Sequence, residues 1–565
     1  MRRVPIWSLA ALLSWPLIVA PARAQPELAG HPVAPGHLAA ETMPVMIPDG
    51  AGGAFVAFKA GPPIAYYATP SLYVARVDPN GGAVPGWTPV AIGSLPTQSS
   101  LPVIMAATGP GHVWLAPDFY YGGTLGDPYL VRPVGGNGLT SPDSSQAVGA
   151  EHEHNSLAAI GADRVLVASK FGSGGGSGAL YLAILEPTGE LVEAPAPIEI
   201  PGGWSTGSDY YRGPVMLADG AGGAWVLCEF ASAPFASDIA ALRIAPDGTP
   251  ALSTISKVVC AAPNEQSEAR LALDDANGAF IVWTDQRDLA KGPDVFASHL
   301  LADGSFAPGV PIQGRAIASL SGAQFDPQIA SDGSGGAWLV WNDSRSGEND
   351  VYFTHIGPDC LPRSGFPAAG RALCAASGSQ ILPRIVADGE GGIYAVWLDQ
   401  RDGELDLYGQ HIHATGVVMP GWIDDGVPIC TGTSGQASPS VCLSSPHHAI
   451  ATWLDTRTGY EKIYAAALPG DGPTAGVPFS GSPRLSLAPA VNPVRGGIEL
   501  RVSSADDGPI RTTLVDVSGR VRAEQVIAGP ARDLRVRFDA PGAGLYFMKA
   551  EQRGVLASAR VAVVR

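Results

Sequence analysis

The chain has 565 residues, of which 71 are Gly and 51 are Pro; 46% are hydrophobic, 15% are charged, and the net charge is −17. Gly and Pro cost about 1 and 3 kcal/mol each inside a helix, which excludes a helical protein. With 12 Trp, 15 Tyr and 15 Phe and so few charges the chain is not disordered either, leaving a turn-rich, all-β chain of more than one domain.

The N-terminus reads Met1-Arg2-Arg3, then an apolar run over 4–20, then Ala22-Arg23-Ala24 before Gln25. A basic start, an apolar stretch and a small-x-small site predict a secretory signal peptide over residues 1–24. The run is short for a membrane span and contains Pro5 and Pro16. No later segment is apolar enough to cross a bilayer, so the mature chain is expected to lack a transmembrane segment and to be secreted.

Residues 25–482 are repetitive. Asp332-Gly-Ser-Gly-Gly-Ala-Trp-Leu-Val-Trp-Asn-Asp-Ser-Arg345 matches Asp388-Gly-Glu-Gly-Gly-Ile-Tyr-Ala-Val-Trp-Leu-Asp-Gln-Arg401, with further copies at Asp275 and Ala449 and weaker ones at Asp49, Gly109, Gly161 and Asp219. The period is about 56 residues over eight units, which suits a four-stranded β-propeller blade. The expected architecture is a seven- or eight-bladed propeller; seven is the alternative because the second and third units are poorly formed. In the sixth unit a strand at 328–330 leads into a turn at Asp332-Gly333, a buried strand over 337–341, a third over 351–356 and a fourth near 368–374, the place where other units have Val310-Pro-Ile or Val427-Pro-Ile as an outer edge strand. His31-Pro-Val-Ala-Pro-Gly resembles outer-strand text, so the start of the ring is expected to pair into the last blade.

The first four units carry extra aromatics: Tyr66-Tyr67, Phe119-Tyr120-Tyr121, and Trp204 with Tyr210-Tyr211. Tyr120, Tyr121, Tyr210 and Tyr211 are candidate ligand-binding residues if they form an aromatic rim; otherwise they cover irregular loops. Glu151-His152-Glu153-His154 is the one dense cluster of metal-capable residues, with His152 and His154 on one strand face if the strand is regular, but no further ligand is identifiable. The sequence implies no cofactor.

The last four units share a Trp-x-Asp-x-Arg signature: Trp283/Asp285/Arg287, Trp341/Asp343/Arg345, Trp397/Asp399/Arg401 and Trp453/Asp455/Arg457. In a strand this spacing puts the three on one face. Recurrence in every unit is what stacking of repeats needs, whereas catalysis needs one unlike constellation, so these are read as structural, with Asp294, Asp350 and Asp406 as further partners for the arginines. His299, His355 and His411, spaced by 56, are likewise repeat residues. Ser331, Asp332, Gly335 and Trp338 resemble the Asp-box turn of sialidases and related propeller glycosidases, with Asp one place early and Ala337 where that box has Thr. No catalytic residue is carried over.

Six cysteines in an exported chain suggest disulfides, with the sequential pairing 228–260, 360–374 and 430–442 expected.

After Pro483 the repeats stop. Residues 486–565 hold 12 Lys+Arg against 8 Asp+Glu, whereas the stretch between the signal peptide and this segment holds 20 against 44. So acidic a body repels phosphate backbones, which argues against nucleic acid. The order Asn492-Pro493, Asp516-x-Ser-Gly-Arg520, Gly544-Leu-Tyr-Phe547 and a final apolar strand closely resembles the C-terminal sorting domain of the bacterial type IX secretion system and the FlgD-like immunoglobulin-type domain. The resemblance implies a small Ig-like β-sandwich that engages the secretion machinery and delivers the passenger to the outer cell surface.

Two functions follow as expectations: a non-catalytic propeller binding extracellular protein or glycan, or a secreted polysaccharide hydrolase or lyase with its site in the degenerate N-terminal blades. The latter calls for two carboxylates about 5–10 Å apart in a funnel.

Overall fold

In the first and the fourth to seventh repeats a strand, a tight turn opened by an Asp and a largely apolar second strand form an antiparallel meander. The computed structural model describes residues 30–564 apart from 62–70, 95–102, 118–151, 201–213, 471–485 and connections of six residues or fewer. The predicted signal peptide and Tyr120, Tyr121, Tyr210 and Tyr211 lie outside the described residues. Among those described there is no helix, and the chain is an all-β propeller followed by a two-sheet module.

The repeat region forms eight sheets. The sixth is representative: Gln324–Ser331, Ala337–Asp343, Asp350–Ile356 and Arg371–Cys374, in that order. The second strand is buried along its whole length. The first strand skips register between Phe325 and Gln328, with Asp326 at φ 48°. Glu268, Leu382 and Ser438 repeat this positive-φ bulge in the neighbouring sheets. The second sheet has two described strands, and the third has five.

Apolar faces of successive sheets pack against one another. Phe55 and Leu72 of the first sheet meet Val113 and Leu115 of the second; Trp283 of the fifth lies with Trp225 of the fourth; Trp397 of the seventh packs on Trp338 of the sixth. The circuit ends with Val56 and Phe58 of the first sheet against Ile450 and Ile463 of the eighth. Seven tryptophans are fully buried, each large enough to dominate such a layer.

The N-terminal segment closes the ring as its text suggests. His31–Pro32 pairs antiparallel with Lys462–Pro469 as the outer strand of the eighth sheet. A glycine shows how closely the substitution works. Gly314, Gly370 and Gly426 precede the outer strands of the fifth to seventh sheets at positive φ, and a Cβ on them would lie 2.2–2.4 Å from Cη2 of Trp283, Trp341 and Trp397. Gly30, at φ +57°, takes this place against Trp453 with a Cβ distance of 2.4 Å. A side chain there has neither room nor a relaxed backbone.

Two expectations are corrected. Val310-Pro-Ile312 lies in a turn in which Val310 N–H donates to Ala307 O; the outer strand is Arg315–Ala318. Val427–Cys430 does form an outer strand. The six cysteines are buried free thiols. Each expected pair is split between different inter-sheet cores: Cys228 from Cys260, Cys360 from Cys374, and Cys430 from Cys442. A whole sheet thickness separates partners that sequence order places together.

Beyond residue 485 two sheets face each other. One contains Ser486–Pro489, Ile498–Ser504 and Ala531–Phe538; the other runs Val494–Arg495, Val555–Val564, Gly544–Gln552, Ile510–Asp516, Val521–Ile527. Ile498, Val502, Leu514, Val536, Phe538 and Met548 fill the space between them.

Candidate functional site

In the fifth, sixth and seventh sheets the two ends carry different chemistry. At the end where the second strand runs into the third, Trp283, Trp341, Trp397 and Trp453 donate Nε1–H to Asp285, Asp343, Asp399 and Asp455 at 2.8–3.4 Å. The same carboxylates accept from the guanidinium groups of Arg287, Arg345, Arg401 and Arg457. Each guanidinium lies 3.8–4.1 Å over a ring of the third strand: Phe296, Tyr352, Tyr408 or Tyr464. Burial pushes the Asp399 carboxyl up, but Arg401 and Trp397 outweigh it and hold it below its ordinary value. Asp294 and Asp350 do not take the arginines as hydrogen-bond partners; they accept from Ser319 and Ser346. Both poles of each Trp-Asp-Arg unit are thus engaged within the chain.

The opposite end is built from the Asp-Gly turns. Asp332 Oδ1 accepts the N–H groups of Ser334 and Gly336 at 2.7 and 2.8 Å, fixing the turn. Its Oδ2 accepts from His355 Nε2 at 2.7 Å and Arg363 at 2.8 Å. The arrangement recurs. Asp274 and Asp388 take His299 and His411, whereas Asp49 and Asp219 take Arg76 and Arg243. Each cation sits across from an aromatic or apolar-faced partner on the second strand, and His299, His355 and His411 stack on Phe280, Trp338 and Tyr394 with ring centroids 3.9–4.0 Å apart.

Three of these aspartate partners also reach the next sheet. Arg243 Nη1 donates to Ala302 O at 2.8 Å, while His299 Nδ1 and His411 Nδ1 lie 2.6 and 3.0 Å from Pro358 O and Gly470 O. Both ring nitrogens of His299 and His411 thus face oxygen atoms. His355 differs: its Nε2 bonds Asp332, and among the described residues its Nδ1 has no hydrogen-bond partner.

At that junction, between the sixth and seventh sheets, a cleft of about 810 Å³ opens. Ser331, Ser334, His355, Arg363 and Phe366 come from the sixth sheet, and Glu390 with Thr415 from the seventh. Its one arginine, Arg363, pairs with Asp332, Glu390 lies 2.5 Å from His447, and Asp275 accepts Gly335 N–H. Burial raises Asp332, but His355 and the turn amides overcome it and hold the carboxyl low. Burial lowers His355, and the adjacent Asp332 only partly offsets this.

The turn cations were visible as the 56-residue recurrence of His299, His355 and His411, but their pairing with the turn aspartates was not. Gln266, Gln324, Gln380 and Gln436 were missed altogether, although they recur at nearly the same interval; each begins a first strand opposite Asp285, Asp343, Asp399 or Asp455. Within His152–Ala159 the register skips between Glu153 and Asn155. Among the described residues no group of three or more His, Cys, Asp or Glu is placed to hold a metal.

No family model matches the chain, and no curated protein matches it. Its backbone is similar to the β-propeller domain of the trilobed protease from Pyrococcus furiosus, at 7% identity and TM-score 0.38 over 76% of this chain and 96% of that one. It is also similar to a protein of unknown function from Dyadobacter fermentans (8%, TM-score 0.35, 79% and 99%). A Hadza microbial sialidase aligns at 13% identity and TM-score 0.31, over 76% of this chain and 66% of that one.

Proposed function

We propose that the protein is a secreted or cell-surface β-propeller of eight blades, spanning 25–482, that binds extracellular glycan or protein ligands without catalysing a reaction on them. In this reading residues 1–24 direct export, and 486–565 form an Ig-like module that engages the secretion machinery and sends the propeller to the outer surface. Nucleic acid is not a partner, and no cofactor is required.

The observation that carries the reading is the cleft between the sixth and seventh sheets. It offers hydroxyls, an aromatic ring and backbone at a surface large enough for a ligand. Its buried carboxylate, Asp332, is held ionised by two turn amides, an imidazole and a guanidinium. Glycosidic bond cleavage needs a carboxylic acid whose pKa is raised enough to give up a proton near neutrality, and Asp332 is shifted the other way. The Asp and Arg groups of the opposite end support the same reading, because they are spent on one another.

The test is a glycan and peptide array probed with the mature chain, with Ser334→Trp as the variant that fills the cleft. Specific binding abolished by that substitution is the expected result; turnover of a bound polysaccharide would overturn the non-catalytic reading. Deletion of 486–565 is expected to strand the propeller short of the cell surface.

A further inference from the structure

We infer that the cleft takes a neutral, hydroxyl-rich saccharide, and that His355 Nδ1 is the acceptor that reads one of its hydroxyl groups. The inference rests on the cleft being the ligand site.

Three neighbouring positions define what is unusual here. Arg243, His299 and His411 each hold their own turn aspartate, Arg243 with Nε and Nη2 and the histidines with Nε2, and reach a carbonyl of the next sheet with a further nitrogen, always 59 residues ahead. The corresponding residue for His355 is Ala414. No hydrogen bond joins them, and Ala414 lines the cleft together with His355. The cleft therefore occupies the place of a missing sheet-to-sheet link, and Nδ1 is the atom that the missing link leaves over.

The proton inventory gives this atom its role. Nε2 faces the Asp332 carboxylate, an acceptor, and so carries a hydrogen. Burial disfavours a second proton on the ring. The neutral imidazole then presents a lone pair at Nδ1, which accepts from a hydroxyl. Facing His355 are Asp332 from its own turn, Arg363 from the following loop, Asp275 from the fifth sheet and Glu390 from the seventh. Arg363 is committed to Asp332, Glu390 to His447, and Asp275 accepts Gly335 N–H at 3.1 Å.

The same matching sets the ligand class. With Asp275, Asp332 and Glu390 against the single Arg363, the cleft has no surplus cation for a carboxylated or phosphorylated ligand. Ser331, Ser334, Ser364 and Thr415 supply hydroxyls, and Phe366 supplies an apolar face. Alternating hydroxyl and ring-face contacts match a neutral sugar.

The experiment uses the mature chain on an array of neutral and acidic oligosaccharides at pH 7.5 and pH 5, with His355→Arg and Ser334→Trp alongside. His355→Arg copies Arg243, which keeps its turn aspartate and reaches the next sheet, so its melting temperature is expected to match or exceed the parent. Neutral-glycan binding at pH 7.5 that falls at least tenfold in His355→Arg, and falls at pH 5 in the parent, supports the inference. Binding lost in Ser334→Trp but kept in His355→Arg overturns the role of His355 and leaves the cleft as the site. Binding of acidic glycans alone overturns the ligand class, again leaving the cleft. Binding kept in both variants, or absent for every glycan, overturns the inference together with the saccharide reading of the cleft.

Discussion

Lys462 Nζ donates to Glu41 Oε1 at 3.0 Å, joining residues 421 apart in the chain across the seam of the ring. Both side chains are nearly buried, and the second Glu41 oxygen accepts Ile463 N–H at 3.0 Å. Elsewhere the first-strand residue in this place is Gln324, Gln380 or Gln436, each donating its backbone N–H to Pro293, Asn349 or Leu405. Glu41 N–H donates to Glu461 in the same way. The residue following that carbonyl is Asp294, Asp350 or Asp406 at the other junctions but Lys462 at the seam. The positions held by Gln and Asp at those junctions are thus held by Glu and Lys at the seam, where the two side chains bond each other.

Removing one partner leaves a buried charge, which costs about 3–5 kcal/mol. Lys462→Ala and Glu41→Gln are each expected to lower stability on that scale in urea unfolding. The double variant Glu41→Gln/Lys462→Asp, which copies the other junctions, is expected to recover at least half of the loss. Additive losses in the double variant would show that the two side chains do not act as a pair.

Gly370→Ala puts a methyl group 2.3 Å from Trp341 at φ +67°, so both overpacking and backbone strain apply, about 3 kcal/mol together. Gly333→Ala has nearly the same φ, +65°, with nothing within 4 Å, and is expected to cost about 1 kcal/mol. The difference between their unfolding midpoints measures the clash with Trp341 and with Phe353 O, 2.8 Å away.

Acid should weaken the ring in a defined direction. Asp332, Asp388, Asp399 and Asp455 are pushed up by burial, but their hydrogen bonds to His355, His411, Arg401 and Arg457 prevail and leave each below its ordinary value. A carboxyl lower in the folded than in the unfolded state contributes stability above its unfolded value, about 3.9, and loses it as pH falls through the folded one. Urea midpoints are expected to hold above about pH 4 and to drop below it, less steeply in Asp399→Asn.

The thiols are expected to be inert while the protein is folded. Burial pushes Cys260, Cys360, Cys374, Cys430 and Cys442 up to about 12, and Cys228 higher still. Iodoacetamide should label none of the six in native protein and all six in urea, with or without reductant. Fewer than six labelled in urea without reductant would reveal disulfides.

The period, the buried second strands and the ring-closing role of residues 31–36 were legible because they are written in local text, as glycines, apolar runs and a recognisable outer-strand phrase. The cysteine pairing was not, since the core that a cysteine enters depends on which face of a bulged strand it occupies. Cys260 and Cys228 are close in sequence and belong to one sheet, yet face opposite sides. The cleft was illegible for a subtler reason. His355 reads as one more copy of His299 and His411, and what sets it apart is a bond that is not made, to a residue 59 positions away. Arg363, which shares Asp332 with it, belongs to a loop outside the repeating text.

Closing the ring with residue 31 beside residue 465 has a kinetic meaning. The entropy of joining so distant segments grows only logarithmically with the intervening length, so the seam costs the finished fold little. It is slow to find, however, because every sheet between must be in place first. Until then Lys462–Pro469 is an open edge able to accept a strand from another copy. A short outer strand of two residues at that edge, His31–Pro32, makes the final step a latch rather than a hinge, and chains arrested before it are the ones most exposed to domain exchange.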